Sequence, residues 1–147
     1  MMLLRAEETF VKAQEKSHVK YIFDVPEGLN ALKITFNYYP KEGGDMQKML
    51  ADTLKAYKKY APYVLNAEEE AKKCLPLVNH IGFSVDAPNK WLGTRHNHSH
   101  ENEYIIGKNS TKGFENTAII AGKWAVTLTF NSIVTEAVDC FAEVEGD

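Results

Sequence analysis

Very little in this chain announces a chemistry. It has only two cysteines, Cys74 and Cys140, so no disulfide scaffold is encoded, and a single bridge would need the fold to bring the two together. They read as reduced, buried thiols, one in a helix and one in a strand. There is no glycine-rich phosphate loop, no Gly-x-Ser-x-Gly elbow and no cysteine with a histidine beside it in sequence, which removes common routes to nucleotide binding and acyl transfer. Positive charge is short. Seventeen lysines and arginines against twenty acids leave a formal charge of −3, the wrong sign for a nucleic-acid backbone. No apolar run approaches a membrane span, and "MMLLRAEE" lacks the apolar core of a secretion signal. The expected setting is cytoplasmic, with neither nucleic acid nor membrane as partner.

What is present is alternation. In "HVKYIFDVP" Val19, Tyr21, Phe23 and Val25 share one face, and in "NALKITFNYYP" Leu32, Ile34, Phe36 and Tyr38 do the same, the period of a half-buried strand. With "PEGLN" between them, residues 18–39 read as a hairpin. "KWAVTLTFN" sets Trp124, Val126, Leu128 and Phe130 together after Gly122, and "IVTEAVDCFAEVE" sets Val138, Cys140, Ala142 and Val144 together. One more strand is expected near 77–85. Between these, Met46, Met49, Leu50, Leu54 and Tyr57 recur at three- and four-residue spacings, an amphipathic helix capped by Asp45. A second short helix is expected after Asn66, with Glu69 completing a capping box. Strands that do not alternate with helices exclude parallel α/β folds. The expected architecture is one all-β, mainly antiparallel domain over 1–147, a β-sandwich of jelly-roll type with a helical insert at about 45–73. Trp124 and Gly122 are its structural anchors.

The chemistry-bearing candidates are few. "GTRHNHSHENEY" concentrates His96, His98 and His100, three of the five histidines, after what reads as a loop, "NKWLGTR". Three imidazoles along one extended segment span too far to close a tetrahedron, so a divalent metal such as zinc would need a further ligand, for which His80 and Glu103 are the candidates. The simpler reading is a solvated polar loop. Trp91, Tyr39 and Tyr60, with Arg95 nearby, are the candidates for stacking a sugar-like ligand.

From residue 74 onward the motifs take a recognisable order. "LPLVNHIGFSVDAP", "WLGTRH", "STKGF" and "IIAGKWAVTLTF", together with the earlier "YIFDVPEGLNALKITFNYYP", resemble the β-sandwich that precedes the catalytic domain in bacterial metallohydrolases of the polymerase and histidinol phosphatase (PHP) type, the carbaryl-hydrolase-like group. Lys112 and Ala121 stand where that pattern has proline. The separated His and Asp clusters of the PHP catalytic domain are missing, so the resemblance implies an accessory domain rather than an enzyme. Its role would be packing against a PHP-type catalytic domain, self-association or substrate placement, and the end at "EVEGD" is where such a domain would follow. The alternatives are a carbohydrate-like ligand-binding module and a small metal-binding protein built on His96–His100.

Overall fold

The computed structural model describes residues 1–43, 45–75, 77–96 and 102–147. Eight strands run in chain order as β1 (Met2–Val11), β2 (His18–Val25), β3 (Ala31–Tyr39), β4 (His80–Asp86), β5 (Trp91–His96), β6 (Glu103–Gly107), β7 (Gly122–Ser132) and β8 (Ala137–Gly146). Helices α1 (Met46–Tyr60) and α2 (Ala67–Lys73) lie between β3 and β4. The strands form two antiparallel four-stranded sheets, β1-β8-β3-β6 and β2-β7-β4-β5. First pairs with last, second with second-last, third with sixth and fourth with fifth. That nesting is the double-sheet jelly roll, and the β-sandwich expected from the alternation is present.

The alternating apolar positions face one another across the gap between the sheets. Leu32, Ile34, Phe36 and Tyr38 meet Trp124, Val126, Leu128 and Phe130, all buried, with Phe83 packed between Phe36 and Tyr104 at ring separations of 5.0 and 4.8 Å. Trp124 is 1% exposed and donates its indole N–H to Ile120 O at 2.9 Å, so the one polar atom of the largest core side chain is satisfied.

Several local expectations change. Residues 18–39 are not a hairpin: β2 pairs with β7 while β3 pairs with β8 and β6, so the chain crosses between sheets at Gly28. Period-two burial is identical whether two strands lie side by side or face each other across a core, so the pattern could not decide between them. Only β4 and β5 are sequential neighbours within a sheet, joined at 87–90 with Ala87 N–H donating to Lys90 O at 2.8 Å. "WLGTR" is strand β5, not loop. Met2–Val11 forms an edge strand that the acids in "MMLLRAEE" obscure. Asp45 caps α1 as expected, accepting from Lys48 N–H at 3.0 Å, but Asn66 makes no side-chain cap on α2. Instead its amide reaches Glu70 at 3.4 Å. Cys140 is buried in β8, whereas Cys74 is exposed at the end of α2, and both are free.

The strand directions define two ends. One gathers the helical insert and the β7–β8 loop; the other gathers the 87–90 turn, the β6–β7 connection and both described chain termini, where Gly146 N–H donates to Met1 O at 2.8 Å.

Candidate functional site

The outward positions of β2-β7-β4-β5 build a surface with a definite relief. The register lines up His18, Thr129, Gly82 and His96 in one row, then Lys20, Thr127, Ser84 and Thr94, then Ile22, Ala125, Asp86 and Trp91. The two central strands therefore contribute mainly small side chains, and the two edge strands contribute the large ones. Three interstrand spacings of about 4.8 Å place the banks roughly 14 Å apart. The result is a trough across the sheet, floored by glycine, serine, threonine and alanine.

At the end of the trough nearest the 87–90 turn, a cleft of about 390 Å³ lies between Ile22 and Trp91, lined also by Lys20, Asp86, Lys123 and Ala125. Ile22 and Trp91 are 60% and 56% exposed, yet Ala125 on the floor is 4% exposed. Two lysines at the rim are tied to acids: Lys123 to Asp24 at 3.0 Å and Lys90 to Glu115 at 3.2 Å. Exposed pairs of this kind fix side-chain positions more than they stabilise the fold.

The opposite end of the trough carries histidines. His96 lies over Gly82, its cross-strand partner, so closely that a Cβ there would come within 2.6 Å of its Nδ1. Its ring meets His80 edge-on with centroids 4.5 Å apart. On the far bank, His18 Nδ1 is 3.0 Å from Thr129 Oγ1. The fold thus brings His80, one of the two candidates for a further ligand, to His96. Glu103 goes elsewhere: it begins β6 on the other sheet, opposite Thr35 and facing outward. His98 and His100 lie outside the described residues. Two imidazoles supply half of a tetrahedral zinc shell, and among the described residues no group of three or more His, Cys, Asp or Glu side chains could hold a metal ion.

The remaining candidates separate. Tyr39 is 75% exposed on the outside of the other sheet, and Tyr60, also 75% exposed, ends α1. Arg95 faces inward at the sheet edge, its guanidinium over the Tyr104 ring at 5.5 Å and donating to Lys112 O at 2.6 Å. It is a brace between β5 and the 111–114 segment. Gly93 sits in the same brace, with φ +142° and a bridge to Phe114, where a Cβ would come within 2.0 Å of Gly113 O.

One buried polar residue escaped the sequence reading. Asn79, fully buried, donates its amide to Pro40 O at 2.8 Å and to Thr135 Oγ1 at 3.0 Å, and accepts from Val134 N–H at 2.7 Å. Its backbone N–H donates to Lys41 O at 2.8 Å and its carbonyl accepts from the Tyr38 hydroxyl at 3.1 Å. An asparagine in "PLVNHIG" carries no mark of this role, because its partners lie about 40 and 55 positions away.

Among the described residues no helix is long and apolar enough to cross a membrane. No known protein family, curated protein or solved structure matches the chain.

Proposed function

We propose that this chain is a non-catalytic binding β-sandwich that holds a carbohydrate on the outer face of β2-β7-β4-β5, with one pyranose ring stacked on Trp91. The observation that carries the reading is the cleft itself. A half-exposed indole stands at the edge of a floor of small residues, leaving room beside it for a flat ring. An indole face suits the C–H side of a pyranose, while Asp86 accepts from and Lys20 donates to hydroxyl groups at the ring edge. A ligand gripped on an open sheet face can remain attached to a longer chain, which suits an accessory role. In that role the domain would present a glycan to a PHP-type catalytic domain, of the kind preceded by the β-sandwich that this sequence resembles, or to a second copy of itself.

Titration calorimetry against a panel of pyranose oligosaccharides, chosen from a glycan array, tests this directly. Wild type should bind at least one class, and Trp91→Ala should weaken it about tenfold, the worth of one stacking contact of about 1.4 kcal/mol, without shifting the melting temperature. Equal binding by Trp91→Ala, or no binding to any pyranose, overturns the proposal.

A further inference from the structure

The other sheet carries a second cleft of different chemistry. On the outside of β1-β8-β3, the register sets Glu7, Phe141 and Asn37 in one row and Thr9, Asp139 and Tyr39 in the next. These six side chains line a cleft of about 490 Å³. Among the described residues no lysine or arginine lines it. The outward positions of this sheet hold Glu7, Glu103, Asp139, Glu143 and Glu145 against Arg5 and Lys33, five acids against two bases. Both bases are engaged away from the Tyr39 row, Arg5 with Glu7 at 3.6 Å and Glu143 at 3.5 Å, and Lys33 with Glu145 at 3.5 Å. The Tyr39 end therefore combines carboxylate charge with two aromatic rings. Asp139 is held in place by the Thr9 hydroxyl, which donates to it at 2.5 Å.

We infer that this cleft binds an organic cation, an ammonium or guanidinium group on an alkyl chain. Aromatic faces attract a cation and also cover the carbons that carry it, and carboxylates accept charge-assisted hydrogen bonds from the head group. A bare metal ion fits poorly, because among the described residues no three ligating side chains gather here. An anion would be repelled. The same head group reaches a protein either on a free diamine or on a lysine side chain of a peptide, and the two differ in what flanks the alkyl chain.

The test uses the full chain, labelled with ¹⁵N, titrated separately with 1,4-diaminobutane, with a blocked lysine tripeptide and with 1,4-butanediol as the uncharged analogue. The diamine or the peptide should shift amides around Glu7, Asn37–Tyr39 and Asp139–Phe141, and butanediol should not. Response to the diamine alone identifies a free amine as the ligand; response to the peptide alone identifies a protein side chain. Tyr39→Ala and Asp139→Asn, the second of which keeps the acceptor for Thr9, should each weaken binding about tenfold, while Trp91→Ala should leave it unchanged. Butanediol shifts equal to the diamine's, affinity unaltered in both variants, or no shift by either cation at about 20 mM, the weak limit for a specific contact, overturns the inference.

Discussion

Asn79 shows how much one side chain can hold. It joins the segment after β3, the entry to β4 and the β7–β8 loop through three part-buried hydrogen bonds of one side chain. Asn79→Ala removes all three at once, to Pro40 O, Thr135 Oγ1 and Val134 N–H, each worth about 1 kcal/mol. Urea denaturation should show a loss of about 3 kcal/mol or more, whereas an exposed change such as Tyr63→Ala should move stability by less than about 0.5 kcal/mol. Lys41 poses the opposite case. Its Nζ sits 3.5 Å from the centre of the Tyr38 ring, and burial lowers its pKa to about 8 from 10.5. Between pH 8 and 10.5 the unfolded chain keeps a proton that the folded chain has released, so stability rises with pH across that window. Cys140 works against it from the alkaline side, because burial pushes its pKa up from 9.0 to about 12 and the folded state keeps a proton that the unfolded thiol loses. The gain from Lys41 should therefore be visible between about pH 7.5 and 9 as a rising urea midpoint, and Lys41→Met should flatten it. A slope unchanged in Lys41→Met would show that the amine is not desolvated.

At the scale of elements, β5 does the most for the trough, since it supplies Trp91, Thr94 and His96 as one bank. Its position depends on Gly93, whose backbone passes too close to Gly113 for any side chain. Gly93→Ala should displace β5 from the 111–114 segment. The expected outcome is loss of amide-exchange protection in β5, together with weakened ligand binding at Trp91, while the β1-β8 pair stays protected. The two motifs "WLGTR" and "STKGF" could be seen in the sequence, but not that they are two halves of one contact. Strand faces were legible wherever one side is apolar, as in β3, β7 and β8. Strand β1 was not, because Glu8 interrupts the apolar alternation between Ala6 and Phe10; it stays exposed there and accepts from the Tyr21 O–H of β2 at 2.8 Å. Burial and the neighbouring Glu8 together raise the Tyr21 pKa. The histidines show the same limit: His80 and His96 are 16 positions apart in the chain and touch only because β4 and β5 pair.

At the scale of the molecule, the sandwich separates two surfaces of unlike character, a trough of small residues flanked by Trp91 and histidines and an acidic face with Tyr39 and Phe141. The barrier between them is the layer of apolar side chains that the alternation encodes, so the sequence dictates the wall plainly and the faces hardly at all; outward positions tolerate almost any polar residue. The nesting of the strands has one more property. Because Met1 and Gly146 are already hydrogen-bonded, a short linker joining the ends would turn β8 and β1 into the innermost hairpin, and opening the 87–90 turn would make β4 and β5 the outermost pair. The pairing diagram is then unchanged, merely turned inside out. A circular permutant cut at that turn should fold to the same two sheets, with the same far-ultraviolet spectrum and a cooperative melt, and its new ends would emerge beside the Trp91 cleft.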